Sequence, residues 1–128
     1  MPLVRIDLVE GKPAAYRAAI GEAIYQAMRT TLDVPEDDRF QIFAEHPAGN
    51  LTADPNYLGI HRTPDCVIIQ ITLNEGRTTQ MKQAFYHAVA DGLHRDPGLR
   101  REDVFISLVE VRKENWSFGN GVAQYATS

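Results

Sequence analysis

Cysteine is nearly absent from this chain: Cys66 stands alone, so no internal disulfide can form and the fold must rest on its own packing. The expected setting is therefore a reducing cytoplasm, with Cys66 read as a small buried hydrophobe opening a strand. Long apolar runs are missing too. No segment approaches the roughly 20 residues that cross a bilayer, and the first residues lack the apolar core of a secretory signal, so no membrane partner is expected. A basic excess is also lacking. The net charge of -4 and the pI near 5.5 argue against nucleic acid, whose phosphates call for a positive face. The adjacent basic pair Arg100 and Arg101 reads as a solvated turn.

Recognisable cofactor and nucleophile signatures are missing as well. The histidines His46, His61, His87 and His94 have no metal-ligand spacing, so no metal is expected. Gly119 and Gly121 lack the third glycine and the following helix of a dinucleotide fingerprint. No Gly-x-Ser-x-Gly elbow and no paired Cys and His point to a nucleophile enzyme.

What is present is an internal repeat. A shift of 65 positions (67 − 2) lays residues 2–45 over residues 67–110 without a gap. Ile6 then meets Ile71, Leu8 meets Leu73, Glu10-Gly11 meets Glu75-Gly76, and Asp38, Phe40 and Glu45 meet Asp103, Phe105 and Glu110. At 128 residues the chain is too short for two independent domains, so the two copies, 2–46 and 67–111, must share one core. A linker over 47–66, rich in Pro, Gly, Asn and Asp, joins them, and 112–128 forms a tail.

Each copy has the same plan. Val4, Ile6 and Leu8 alternate with polar residues, predicting a strand over about 3–9. Tyr16, Ala19, Ile20, Ala23, Ile24, Ala27 and Met28 then recur at helical spacing, and the helix must close before Pro35. A second strand follows over 39–45. In the second copy the strands are expected over 67–73 and 104–111, with a helix stripe of Met81, Ala84, Phe85, Ala88, Val89 and Leu93. A strand, a crossover helix and a strand of this length favour parallel pairing. The expected fold is α/β (α+β): tandem β-α-β units in a four-stranded sheet, both helices on one face, with a C-terminal β-hairpin at Asn120-Gly121. The other face would show Leu3, Arg5, Asp7, Ile68, Gln70 and Thr72, too apolar to stay wet, so oligomerisation is expected.

Three residues carry the chemical reading. Pro2 follows the initiator methionine, whose expected removal leaves a secondary amine that can act as base or, protonated, as acid; a reference α-amino group titrates at about 7.7–8.0. Its counterpart in the second copy is Val67, so the strand does not need proline there. Arg77 opens the second helix, where a guanidinium and helix amides can hold a carboxylate. Asp38 precedes a strand and reads equally as a turn residue, a role Asp103 would repeat. Trp116 and Phe118 could pack the tail or wall a site.

Together, Pro2, the Glu75-Gly76-Arg77 junction and the Phe118-Gly119-Asn120-Gly121 tail resemble the tautomerase superfamily. In length, and in Val34-Pro35-Glu36-Asp37-Asp38-Arg39-Phe40-Gln41 and Trp116-Ser117-Phe118-Gly119, the chain is more similar to the fused members typified by malonate semialdehyde decarboxylase than to 4-oxalocrotonate tautomerase. The resemblance implies a homotrimer, no cofactor, a small oxo-acid substrate, and catalytic Pro2, Arg77 and Asp38, with Trp116, Phe118 and Phe40 as substrate-binding residues. Where one decarboxylase type carries two arginines this chain has Asn74 and Gly76. Arg29 and Asn115 stand where cis-3-chloroacrylic acid dehalogenases carry a histidine and a glutamate. Keto-enol tautomerisation is the leading expectation. Decarboxylation or hydration of a 3-oxo acid is the alternative, and a binding protein with a vestigial site is a second one.

Overall fold

The computed structural model describes residues 2–126. The elements are β1 (Leu3–Val9), α1 (Ala14–Thr31), β2 (Phe40–His46), β3 (Val67–Asn74), α2 (Thr79–Arg95) and β4 (Val104–Val111). The strands form one sheet in the order β2-β1-β3-β4. Each β-α-β unit pairs its own strands in parallel, β1 with β2 and β3 with β4, and the two units meet antiparallel through β1 and β3. Antiparallel docking follows from like edges meeting: β1 and β3 hold equivalent places in their units, so a rotation of half a turn brings them side by side.

The core lies between this sheet and the two helices. Val4, Ile6 and Leu8 of β1 and Val67, Ile69, Ile71 and Leu73 of β3 point into it. Ile20, Ile24, Ala27 and Met28 of α1 and Phe85, Val89 and Leu93 of α2 meet them from the helix layer. The helical stripes are as expected except at Ala84, which is exposed at the flank of the α2 stripe. A methyl group costs little on either side of a helix, so alanine is a weak marker of the buried face. Cys66 is buried at the entry to β3, and burial pushes its thiol above the usual range.

Local sequence sets the helix ends. Gly11 (φ 112°) and Gly76 (φ 119°) turn the chain sharply after β1 and β3, in a backbone region that side chains resist. α2 then opens with Thr78, whose hydroxyl accepts from the Met81 amide at 3.1 Å. α1 closes as Asp33 takes a left-handed conformation and the Val34 amide donates back to the Met28 carbonyl at 3.3 Å, with Val34 buried.

The tail turns where expected. Asn120 (φ 60°) and Gly121 (φ 67°) have the paired left-handed backbone of a hairpin turn. Its arms carry no strand ladder among the described residues. The side chain of Gln124 closes the turn instead, accepting from the Phe118 amide and donating to the Gly119 carbonyl, both at 2.9 Å. An isolated two-stranded ribbon is marginal without a neighbour to pair with. On the sheet face opposite the helices, Leu3, Phe40, Ile42, Phe105 and Val109 are substantially exposed. Among the described residues no helix is long and apolar enough to cross a membrane.

Candidate active site

The sheet register brings the predicted residues to one end of the molecule. Leu3 lies opposite Phe40 on β2 and opposite Thr72 on β3. Continuing that register by one residue sets Pro2 beside Arg39 and Leu73, between the chain leading from Asp38 into β2 and the chain leading from Asn74 to Arg77. β4 runs parallel to β3, so it delivers the tail to the same end; Glu75 donates its amide to the Val111 carbonyl at 2.9 Å. Pro2 shares the core-facing parity of Val4 and is buried.

Arg77 is half-buried and held in place. Its Nη1 donates to the Asn74 carbonyl at 3.2 Å and its Nη2 to the Leu32 carbonyl at 3.1 Å. Leu32 ends α1, where unsatisfied carbonyls favour a cation. The guanidinium therefore spans the gap between the end of α1 and the start of α2, with N–H groups left for another acceptor.

Asp38 is 8% exposed. Burial pushes its carboxyl above the usual range, against the opposite pull of the amino-terminal charge and of Arg77.

Trp116 and Phe118 come together on the tail, their rings stacked at 5.4 Å and 17°. Tyr125 meets Phe118 edge-on at 4.8 Å, so the wall has three rings, one more than the two singled out in the sequence. The Trp116 indole donates to Asn74 Oδ1 at 2.8 Å. Asn74 thus touches both the aromatic wall and Arg77. Phe40 stands apart: it pairs with Leu3 on the helix-free face and is 50% exposed.

The opposite end of the sheet repeats the backbone but not the chemistry. Val67 occupies the place of Pro2, as a peptide residue inside the chain. Asp103 is sequestered, accepting from the Thr63 amide at 2.7 Å and from its hydroxyl at 2.5 Å. Lys12, the counterpart of Arg77, pairs with Asp65 at 3.4 Å. Among the described residues no group of three or more His, Cys, Asp or Glu could hold a metal ion.

Comparison with known proteins identifies the family. A family described as "Tautomerase enzyme" matches residues 38–119, and a second family of the same description matches residues 2–60. The probable tautomerase YusQ of Bacillus subtilis is 40% identical over 97% of this chain and 98% of its own. Among solved structures, FG41 malonate semialdehyde decarboxylase inhibited by 3-bromopropiolate superposes with a TM-score of 0.90 at 38% identity, covering 96% of this chain and 93% of that one. A fused 4-OT symmetric trimer shares the fold, with a TM-score of 0.79 at 20% identity over 98% and 99% of the two chains. With its tandem β-α-β sheet, the family match over most of its length and a full-length relative at 40% identity, the chain belongs to the tautomerase family.

Proposed function

We propose that the protein is a cofactor-free enzyme that interconverts the keto and enol forms of small oxo acids. The Pro2 amine, exposed once Met1 is removed, is the acid-base group. The supporting observation is the meeting, at one sheet end, of buried Pro2, which becomes chain-terminal if Met1 is removed, and a guanidinium fixed by the Leu32 and Asn74 carbonyls.

In this reading Arg77 pairs with the substrate carboxylate through its remaining N–H groups. Neutral Pro2 takes the enol hydroxyl proton, electron density moves from oxygen through the double bond, and the proton is delivered to carbon, giving the ketone and restoring the amine. Negative charge that develops on oxygen during the transfer is stabilised by Arg77. The Trp116, Phe118 and Tyr125 rings exclude water and strengthen that attraction.

One observation favours a second reading. Asp38 is a buried carboxyl pulled by the positive charge at the start of the chain, which passes from Met1 to the Pro2 amine when Met1 is removed, and it would then stabilise a protonated proline. A cationic Pro2 polarises the carbonyl of a 3-oxo acid and suits decarboxylation or hydration, and FG41 malonate semialdehyde decarboxylase is 38% identical to this chain. Asp38 would then also orient water.

The working form in this proposal is a homotrimer in a reducing, cytoplasmic setting. The exposed Leu3, Phe40, Ile42, Phe105 and Val109 supply the surface to be covered, and the fused 4-OT of the same fold is a trimer. Conversion of the enol of a 2-oxo acid such as phenylpyruvate, followed by loss of enol absorbance, tests the function. Pro2→Ala should lower kcat/KM by about 10²–10⁴, the contribution of a positioned general base. Unchanged turnover in that variant would overturn the proposal.

A further inference from the structure

We propose that Asn74 is a positioning residue that latches Trp116, and with it the chain beyond β4, over Arg77. Its catalytic consequence rests on the oxo-acid reading above; the latch itself does not.

Asn74 ends β3 and faces two ways. Its carbonyl accepts from Arg77 Nη1 at 3.2 Å, and its Oδ1 accepts from Trp116 Nε1 at 2.8 Å. An indole nitrogen can only donate, so the amide oxygen must face the ring, and the orientation of the Asn74 side chain is fixed by chemistry. Among the described residues this is the only hydrogen bond that ties residues beyond the Lys113–Asn115 turn to the body of the fold.

The tail behind the latch is a unit of its own. Gln124 bonds to both Phe118 and Gly119, Trp116 stacks on Phe118, and Phe118 meets Tyr125 edge-on. These contacts fix the rings relative to one another but not relative to Arg77. That second relation passes through Asn74, which holds the indole with its side chain and the guanidinium with its backbone. Loss of the side-chain oxygen leaves Arg77 with its carbonyl partner and releases only the aromatic wall. The wall governs how well substrate is enclosed, so the effect falls on KM more than on kcat.

Trp116 is the single tryptophan of the chain, so intrinsic fluorescence reads the latch directly without substrate. In Asn74→Ala the emission should move to longer wavelength and acrylamide should quench it more readily. Asn74→Asp keeps an oxygen acceptor and should restore the native emission, while its added negative charge opposes a substrate carboxylate. In turnover of phenylpyruvate enol, Asn74→Ala should raise KM roughly fivefold, the worth of about one neutral hydrogen bond, with little change in kcat. Trp116→Phe keeps a ring without the donor; it should raise KM similarly, and adding Asn74→Ala to it should change nothing more.

Native emission and quenching in an Asn74→Ala protein of unchanged circular dichroism would overturn the latch, as would additive KM effects of Asn74→Ala and Trp116→Phe. Failure of the oxo-acid reading looks different: Pro2→Ala would leave turnover intact while the fluorescence of the Asn74 variants still reported the latch.

Discussion

Replacing Arg77 with alanine separates the clamp from the scaffold around it. The guanidinium makes two contacts within the fold, to Leu32 and Asn74, at 3.1 and 3.2 Å. Their loss frees two carbonyls near the surface that water can reach, which costs about 1–2 kcal/mol of stability. The larger effect concerns a ligand. A forked carboxylate contact consists of two charge-assisted hydrogen bonds of about 1.5–3 kcal/mol each, partly offset by rehydration of the freed carboxylate, so a net loss of about 3–4 kcal/mol is expected. At about 1.4 kcal/mol per factor of ten, kcat/KM on an oxo-acid enol should fall on the order of 10²–10³. Arg77→Lys restores the charge but not the fork, and should recover only part of the loss. The assay is steady-state enol consumption, with thermal unfolding recorded in parallel. A fall in kcat/KM smaller than about threefold in Arg77→Ala, with the protein folded, would refute the assignment of Arg77 as the carboxylate clamp.

Other predictions follow from the same geometry. Lys12→Ala, at the opposite sheet end where Lys12 pairs with Asp65, should leave kcat/KM within about twofold of wild type, and a large loss would mean that this end also works. Because burial raises the folded pKa of Asp38 above its unfolded value, its contribution favours folding below the ordinary carboxylate range and is lost as pH rises through the raised folded pKa. Asp38→Asn, which cannot ionise, should therefore melt above wild type at neutral pH and close to it near pH 3, about a unit below the reference carboxylate value; the reverse order would contradict this reading. Phe85 is fully buried between α2 and the sheet, and Phe85→Ala should cost about 3–5 kcal/mol in chemical denaturation. Phe105→Asp, on the exposed helix-free face, should shift the protein from the proposed trimer to smaller species in light scattering while leaving circular dichroism unchanged.

Much of this architecture can be read from periodicity, because the core is built from residues whose spacing has one interpretation. Val4, Ile6 and Leu8 alternate, Ile20, Ile24 and Met28 recur by fours, and both patterns end up buried. The sheet order depends on which edges meet, and here the repeat helps, since equivalent strands meet at the centre. Ala84 misleads because its side chain carries too little apolar surface to choose a face. The tail turn is legible in Asn120-Gly121, but the state of its arms depends on what lies beside them.

The site divides in the same way. Pro2, Arg77 and Asp38 stand out by chemical type and by their places before or after a strand, and the register gathers them at one end. Asn74 and the Leu32 carbonyl do not stand out. Their partners lie 42 and 45 residues away in sequence, and no local pattern predicts that approach. Tyr125 joins the aromatic wall only because the tail folds back on itself, and Phe40 leaves it because strand parity turns the ring to the other face.

The charge state of Pro2 tests the central claim most directly. An NMR titration of 15N-labelled Pro2 in protein with Met1 removed reads the pKa of the amine itself. The proposed tautomerase requires a neutral base at working pH, so a pKa at or below about 7, under the reference α-amino value, is the predicted result. A pKa above about 8 would contradict it, leaving a cationic proline suited to decarboxylation or hydration instead.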